Sequence, residues 1–282
     1  MQEELRQTCR QLLADGSVQV VIGYGQTAGD DRVVPVFITR PEDAEQLVWN
    51  DQCFANLAKY LLRKEVAALG RAAICVKGCD QRALVVLEKE SQIDRAQITV
   101  IGLACDGVGS PRLKKCDACD VRVPRQADVT IGQAAADGNA TAADARYAEI
   151  EAFLKKTPEE RMAYWRRELS RCVKCYACRQ VCPMCYCRQC IVDKNRPAVI
   201  STSATIKGNF AWQITRAFHL AGRCVGCDEC TRACPAGIAL RLLNLSLAKA
   251  AEESFNFRAG TDPAAEPIVG AYSQQDHEEF IR

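Results

Sequence analysis

Eight cysteines, in two copies of one spacing, constrain this chain more than any other feature. The first copy, C-x2-C-x2-C-x3-C followed by proline, begins at Cys172, and the second copy begins at Cys224. Three thiols so close along the chain can meet on one tight loop, and the proline turns the chain aside after the fourth. This spacing is typical of thiolate ligands to iron–sulfur clusters. The eight residues are Cys172, Cys175, Cys178 and Cys182, and Cys224, Cys227, Cys230 and Cys234.

Both motifs resemble those of the dicluster ferredoxin family. In two-cluster members of that family, the fourth cysteine of each motif ligates the other cluster. The resemblance therefore implies two [4Fe-4S] clusters whose ligands cross between the motifs. The expected ligands are Cys172, Cys175, Cys178 and Cys234 for the first cluster, and Cys224, Cys227, Cys230 and Cys182 for the second.

Zinc is the competing metal. Structural zinc sites favour separated C-x2-C pairs or mixtures of cysteine and histidine. The chain has 2 histidines, His219 and His277, and neither has ligand spacing. The spacing therefore favours iron–sulfur clusters over zinc.

Three surplus cysteines follow the first motif, in the stretch MCYCRQC: Cys185, Cys187 and Cys190. One interpretation is a further cluster, completed by Cys9, Cys53 or Cys75, by a non-cysteine ligand or by a partner chain. A second is that they are reduced thiols packed beneath the cluster loops. A third is that Cys185 or Cys187 takes the place of Cys182.

The amino-terminal half predicts short strands alternating with helices, which is typical of an α/β layer structure. Helical periodicity covers Asp51–Leu69, and an amphipathic helix is predicted over Asp80–Glu90. The predicted strands are Ser17–Gly23, Val33–Ile38, Ala72–Val76 and Gln97–Leu103.

Cysteines follow two of these strands. Cys79 comes after AAICVKG, and Cys105 comes after the strand that ends near Leu103. The carboxyl ends of strands form the ligand crevice of open α/β sheets, so both thiols are expected there if the strands are neighbours. Cys75 remains an alternative to Cys79, whereas Cys9 and Cys53 are expected to be small buried side chains.

The blocks KGCDQRAL, IGLAC and CDACDVRVPRQADVTIG resemble the beta subunits of deazaflavin-reducing hydrogenases and formate dehydrogenases. This resemblance, over roughly residues 18–132, implies a third [4Fe-4S] cluster beside a flavin, FAD. In the family, more α/β chain follows the last block, but here an alanine-rich segment follows Gly132. The implied ligands of the third cluster are Cys79, Cys105, Cys116 and Cys119.

These patterns predict four parts: an α/β domain over 1–132, a linker over 133–146, a mainly helical dicluster domain over 147–250 and an extended acidic tail over 251–282. A helix over Tyr147–Arg171 is expected to restart at Pro158, with Thr157 as its cap. A second amphipathic helix, Asn209–Leu220, fills the gap between the motifs. Its Trp212 and Phe218 are expected to be core residues.

The charge of the carboxy-terminal half is uneven. Residues 161–249 hold 15 Lys and Arg against 4 Asp and Glu, whereas residues 250–282 hold 2 against 7. A basic block can bind nucleic acid, but clusters with four thiolates are anionic. The block is therefore expected to neutralise cofactors or to dock an acidic protein, rather than to bind nucleic acid.

The sequence has neither a secretory signal nor an apolar run of membrane-spanning length, so a cytoplasmic protein without a membrane span is expected. The main hypothesis is an iron–sulfur subunit that relays single electrons in a larger redox complex. The resemblances suggest flavoprotein, formate dehydrogenase, hydrogenase or heterodisulfide-reductase-like partners. The alternative is an FAD-dependent oxidoreductase subunit that reduces deazaflavin, NAD or ferredoxin. A zinc-dependent nucleic-acid-binding or scaffold protein is a third class.

Overall fold

A computed structural model describes residues 1–27, 29, 31–117, 119–133, 146–193, 201, 203–270 and 274. The chain divides into two compact units, Met1–Arg146 and Tyr147–Arg282. Most of the predicted linker, residues 134–145, lies outside the described residues. So do residues 271–273 and 275–282 of the predicted tail.

The amino-terminal unit is built on a five-stranded mixed sheet in the order β2-β1-β3-β4-β5. β1 and β2 form an antiparallel hairpin, and the other neighbouring strands are parallel. The predicted α/β class is confirmed for this unit. The strands are β1 (Val20–Gln26), β2 (Val33–Ile38), β3 (Ala72–Val76), β4 (Ile98–Leu103) and β5 (Val129–Ile131).

The central strands are apolar because they are covered on both faces. Every residue of β3 is buried, and Ile74 and Ile101 of adjacent strands are inaccessible to solvent. The helices of this unit are α1 (Gln2–Ala14), α2 (Lys64–Ala67), α3 (Gly78–Lys89) and α4 (Lys114–Asp117). Short 3-10 turns cover Pro41–Gln46, Leu57–Leu62 and Arg95–Gln97.

The prediction of one helix over Asp51–Leu69 is wrong. The segment instead holds a 3-10 turn, Leu57–Leu62, and the single-turn helix α2. Arg63 separates the two with an extended backbone, φ −82° and ψ 131°. The Asn56 side chain accepts from the Ala58 backbone N–H and so caps the 3-10 turn, which begins at Leu57 rather than at Asp51. The apolar spacing of this segment therefore reflects packing under the sheet rather than a continuous helix.

The carboxy-terminal unit is helical, and the predicted mainly helical dicluster region is confirmed. Its buried core joins Ile150, Trp165, Leu169, Trp212 and Leu245. Its helices are α5 (Ala148–Leu154), α6 (Pro158–Ser170), α7 (Ala177–Val181), α8 (Ile206–His219), α9 (Glu229–Arg232) and α10 (Leu240–Phe255), with a 3-10 turn at Ile191–Asp193.

The helix between the two motifs, α8, packs against α6 and α10. Trp212 is 1% exposed, as expected of a core residue, but the expectation for Phe218 is wrong, because it is 63% exposed. The buried face of α8 runs through Asn209, Trp212, Gln213 and Arg216. A residue two positions beyond Arg216 lies on the opposite side of a 3.6-residue helix.

Within the described ranges, no helix has the length and apolar character needed to cross a membrane.

The start of α6 is stabilised by a reciprocal cap. The Thr157 Oγ1 accepts from the Glu160 backbone N–H at 3.2 Å, and the Glu160 carboxylate accepts from the Thr157 N–H at 2.8 Å. Pro158 occupies the first turn, where a missing N–H costs nothing. The predicted restart of the helix at Pro158 is confirmed.

Thr157→Ala is expected to lower the free energy of unfolding of the carboxy-terminal unit by about 1 kcal/mol, because the Glu160 backbone N–H loses its partner, the Thr157 hydroxyl. Urea unfolding followed by the fluorescence of Trp165, which lies on α6, measures this change. Thr157→Ser, which keeps the hydroxyl, is the matched control and should unfold close to the wild type. Equal stability of the alanine and serine variants would contradict the cap.

Candidate iron–sulfur sites

Both motifs fold into the same loop. In the first motif, Lys174 and Tyr176 adopt left-handed backbone angles, with φ of 56° and 60°. The equivalent residues of the second motif, Gly226 and Asp228, do the same, with φ of 69° and 63°. A non-glycine residue in this region costs roughly 1–3 kcal/mol and persists where the surroundings require it. The loop therefore keeps a strained path, and its three thiols line one space.

The first thiol pocket is a space of about 360 Å³. Its lining includes the first three cysteines of the first motif and the fourth cysteine of the second. These four are Cys172, Cys175, Cys178 and Cys234. Cys175 is exposed, and the neighbouring Val173 is 68% exposed, so one side of this pocket lies near the surface.

The second thiol pocket is a space of about 400 Å³. It has the complementary composition, because the fourth cysteine of the first motif joins three cysteines of the second. These four are Cys182, Cys224, Cys227 and Cys230. Two of its cysteines, Cys227 and Cys230, are buried, whereas one cysteine of the first pocket, Cys178, is buried. The fourth cysteine of each motif therefore lies among three cysteines of the other motif: Cys234 in the first pocket and Cys182 in the second.

The polar groups around the pockets suit an anionic, thiolate-bound cofactor. The Gln213 Nε2 donates towards the Cys172 Sγ at 3.8 Å and the Cys178 Sγ at 3.9 Å. The Asn244 Nδ2 donates to the Cys230 Sγ at 3.5 Å. Trp212 lines the first thiol pocket, and its buried Nε1 has no hydrogen-bond partner among the described residues. The donors therefore fit a cluster with bridging sulfides and thiolate ligands.

Burial makes the Cys178 and Cys230 thiols weaker acids, because it raises the pKa of both. The pKa of Cys230 rises to about 12, although the Arg216 guanidinium acts in the opposite direction. The hydrogen bond that the protonated Cys182 thiol makes with Cys185, followed by burial, raises the pKa of Cys182. Binding to iron requires the thiolate form, so cluster assembly must supply the free energy of removing these protons.

The amino-terminal thiol group comprises Cys79, Cys105, Cys116 and Cys119. Cys79 is the second residue of α3, directly beyond β3, and Cys105 follows β4. β3 and β4 are parallel neighbours, so their carboxyl ends meet at one edge of the sheet. The Cys119 thiol influences the pKa of both Cys79 and Cys105, which shows that these thiols lie in one region.

A close approach of two backbones positions this region. A Cβ added to Gly78 would lie 1.9 Å from the Val121 carbonyl oxygen, so the start of α3 accepts only glycine here. The Cys119 Sγ lies 3.4 Å from the same carbonyl, and the Val108 N–H donates to the Cys116 Sγ at 3.4 Å. Glycine therefore brings the segment that carries Cys119 against the helix that carries Cys79.

A buried ion pair lies beside these thiols. The Lys77 Nζ is 2.7 Å from the Asp80 Oδ2, and the two side chains are 2% and 0% exposed. The lysine also donates to the Tyr24 hydroxyl and, at 3.0 Å, to the Ala55 carbonyl. Burial alone would lower the pKa of Lys77, but Asp80 together with Cys79 and Cys105 outweighs burial, so the pKa is raised. A fixed positive charge therefore accompanies the thiol group.

The alternative ligand Cys75 has a different environment. It is fully buried in β3, where the Cys9 thiol and burial raise its pKa. Cys9 and Cys53 are both inaccessible to solvent, as expected for small buried side chains. Burial raises the pKa of Cys53 to about 11.

The three surplus thiols of the first motif have different surroundings. Cys185 lies against Cys182, Cys187 is exposed, and Cys190 packs against the apolar core of the unit. Within the described residues, no three His, Cys, Asp or Glu side chains converge on a single metal ion. This finding does not bear on a four-iron cluster, whose four thiolates bind different iron atoms.

The buried polar side chains Gln213, Arg216 and Asn244 were not predicted from the sequence. A signal for the first two was present, because Asn209, Gln213 and Arg216 share the helical face of Trp212. Polar residues at this spacing on a buried face indicate partners inside the protein rather than solvent.

Asp80→Leu alone is expected to destabilise the amino-terminal unit by about 3–5 kcal/mol, because it leaves the Lys77 charge buried and unpaired. Adding Lys77→Met should recover much of that loss, since the pair is then replaced by apolar groups. Urea unfolding of the two variants and the wild type measures the difference. A double variant no more stable than Asp80→Leu would contradict this view of the pair.

Comparison with known proteins agrees with this geometry. Residues 171–239 match the model of a 4Fe-4S dicluster domain, which implies two [4Fe-4S] clusters. A subunit beta of F420-dependent formate dehydrogenase from Methanocaldococcus jannaschii is 23% identical, over 83% of this chain and 85% of that protein. A subunit beta of F420-dependent formate dehydrogenase 1 from Methanococcus maripaludis is also 23% identical, over 92% of this chain and 90% of that protein.

Proposed function

The chain is a distant homologue of F420-dependent formate dehydrogenase beta subunits and carries a 4Fe-4S dicluster domain, and we propose on this basis that it relays single electrons within a larger redox complex. The partners would be other redox subunits, of flavoprotein, formate dehydrogenase, hydrogenase or heterodisulfide-reductase-like type. In this role the chain itself holds and insulates the electron carriers rather than a substrate.

The exchange of fourth cysteines between the two thiol pockets carries the proposal. Cys234 lines the first thiol pocket and Cys182 lines the second, each among three cysteines of the other motif. Four thiolates per pocket match the ligand number of a [4Fe-4S] cluster, which accepts and releases one electron with little rearrangement. The proposed ligands are therefore the eight motif cysteines, in the crossed pattern.

The surface position of the first thiol pocket supports transfer to a partner. Cys175 is exposed and Val173 is 68% exposed, whereas Cys227 and Cys230 of the second pocket are buried. Arg171 is exposed at the rim, where it donates to the Ala236 carbonyl at 2.8 Å and pairs with the Glu168 carboxylate. An exposed apolar residue beside an exposed thiol suits docking of a redox protein at the first pocket.

The amino-terminal thiol group is the proposed site of a third [4Fe-4S] cluster. Its members come from the ends of β3 and β4 and from the α4 segment, and they act on one another electrostatically. Burial raises the pKa of Cys105 and Cys79, and the buried Lys77 charge acts in the opposite direction on both. These features support binding of an anionic cluster there.

The second candidate function is an FAD-dependent oxidoreductase subunit that reduces deazaflavin, NAD or ferredoxin. The observation that favours it is similarity to F420-dependent enzymes over 83% and 92% of the chain, which includes the amino-terminal unit. Flavin content of the anaerobically purified chain separates the candidates. Stoichiometric flavin with turnover on a soluble acceptor favours the second.

Cys185, Cys187 and Cys190 are proposed to be reduced thiols rather than ligands of a fourth cluster. Their surroundings differ, because Cys185 lies against Cys182, Cys187 is exposed and Cys190 packs against the apolar core. Cys185 is the exception with a direct relation to a proposed ligand, since it lies against Cys182. It is therefore the natural substitute if Cys182 is lost.

Cys234→Ser is expected to remove the cluster of the first pocket, although the residue belongs to the second motif. Its residual electron paramagnetic resonance (EPR) spectrum after reduction should match that of Cys175→Ser, and the spectrum of Cys182→Ser should match that of Cys227→Ser. Cys182→Ser is best made together with Cys185→Ser, so that no neighbouring thiol replaces the lost ligand. A Cys234→Ser spectrum that matches Cys227→Ser instead would show local ligation and refute the crossed pattern.

Cys116→Ser combined with Cys119→Ser is expected to lower the iron content of anaerobically purified chain from about twelve to about eight atoms, at four per cluster. Cys53→Ala serves as the control, because it removes a buried thiol outside the group and should keep all the iron. Unchanged iron in the double variant would remove the third cluster from the proposal.

A further inference from the structure

The buried face of α8 is polar where a helix inside a small core is normally apolar. Asn209, Gln213 and Arg216 are 2–4% exposed and lie along the same face as Trp212. The Asn209 Nδ2 donates to the Cys172 carbonyl at 2.6 Å, and Gln213 reaches the sulfurs of the first pocket. The helix therefore presents hydrogen-bond donors to the ligand loop rather than packing against it with methyl groups.

Arg216 is a buried cation with little compensation from the protein. Its guanidinium donates to the Cys178 carbonyl at 3.0 Å, and its Nε has no hydrogen-bond partner. Within the described part of the chain, no carboxylate pairs with it. Burial of an unpaired charge costs several kcal/mol, so this position requires a negative group nearby.

The groups that surround Arg216 include members of both thiol pockets. Among the thiols that act on its charge, Cys185, which lines neither pocket, comes first, followed by the pocket cysteines Cys182, Cys178 and Cys230. Two anionic clusters held by these cysteines would supply the missing negative charge from both sides. The side chain thus lies where it can act on both sites together.

Each pocket also has one buried amide of its own. Gln213 on α8 donates to sulfurs of the first pocket, at 3.8 and 3.9 Å. Asn244 on α10 donates to the Cys230 Sγ of the second pocket, at 3.5 Å. These amides are 2% and 3% exposed, so water does not compete with them.

We propose that Arg216 raises the reduction potentials of both clusters of the dicluster domain, whereas Gln213 raises only that of the first pocket and Asn244 only that of the second. This inference rests on the proposed function, because it needs both clusters. A reduced cluster carries one more negative charge than an oxidised one. Hydrogen bonds to its sulfurs and a nearby cation stabilise the reduced state more, and the dry interior strengthens both effects.

The shared cation and the separate amides have different consequences for electron transfer. Arg216 shifts both potentials in the same direction, so it sets how readily the pair accepts electrons from a donor. The difference between the two potentials is left to groups that touch one pocket alone, such as Gln213 and Asn244. In this way the mean reduction potential of the two clusters and the difference between their potentials can be set by different side chains.

The test is a redox titration of the full chain with dithionite, which gives one electron to each cluster, followed by EPR. Arg216→Met is expected to shift both midpoint potentials to more negative values. Gln213→Met should shift only the first-pocket signal, and Asn244→Leu only the second-pocket signal. The signals are assigned with the Cys175→Ser and Cys227→Ser chains.

Lys207→Gln is the matched control, because it removes one positive charge from an exposed position of the same helix. Its two potentials should equal those of the wild type. Arg216→Lys, which keeps the charge but loses the guanidinium donors, should lower both potentials less than Arg216→Met. Full iron content with unchanged potentials in Arg216→Met, or a shift equal to that of Lys207→Gln, would overturn the inference.

If Arg216→Met retains no iron, the two amide variants decide the inference. Each has to lower one potential and leave the other in place, and equal shifts of both or no shift of either would refute it. A wild-type chain without two [4Fe-4S] signals would instead refute the proposed function, so the two failures are distinguishable.

Discussion

Burial of negative charge is the constraint on which the carboxy-terminal unit depends. Eight cysteines line two pockets, and three of these thiols, Cys178, Cys182 and Cys230, have pKa values raised by burial or by a neighbouring thiol. Thiolates in such a place repel one another unless a cation balances them. Under the proposed function iron would supply most of that balance, while the Gln213 and Asn244 amides donate to the sulfurs and Arg216 donates to the Cys178 carbonyl. The polar face of α8 follows from this requirement.

The amino-terminal unit meets a similar requirement in a different way. There the cation is Lys77, which is paired with Asp80 and held by the Tyr24 hydroxyl. The carboxylate also accepts from the Lys77 backbone N–H at 3.0 Å and so caps the start of α3. One aspartate therefore both begins the helix that carries Cys79 and holds a buried positive charge beside the thiol group. A charge fixed by an ion pair is less available to a cofactor than Arg216, which has no such partner.

Local spacing and chain order were enough to predict much of this architecture. Cysteine spacing indicated the dicluster domain, and strands followed by cysteines placed Cys79 and Cys105 at the same edge of a sheet, since β3 and β4 are parallel neighbours. Long-range packing was not predictable in the same way. The periodicity of residues 51–69 suited a helix but arises from burial under the sheet, and Phe218 is hydrophobic yet lies outside the buried stripe of α8.

The roles of Gln213, Arg216 and Asn244 were hidden for a related reason. Each is an ordinary polar residue in a helix. Only the packing of α8 and α10 against the ligand loops brings the two amides to sulfurs and Arg216 to the Cys178 carbonyl. The cysteine spacing specifies which atoms can bind a cluster but says nothing about the donors around it, which come from distant segments and would influence its reduction potential.

The two loops are conformational repeats, but their environments are not equivalent. Both use left-handed backbone at the third and fifth positions, yet Cys175 of the first loop is exposed whereas its counterpart Cys227 is buried. A repeated loop in equivalent surroundings would give two carriers with the same potential and the same access to partners. Under the proposed function, the exposed Cys175 would give the first carrier direct access to a partner. Because exposure to solvent also influences potential, the unequal burial of these cysteines and the separate amides would together distinguish the two carriers.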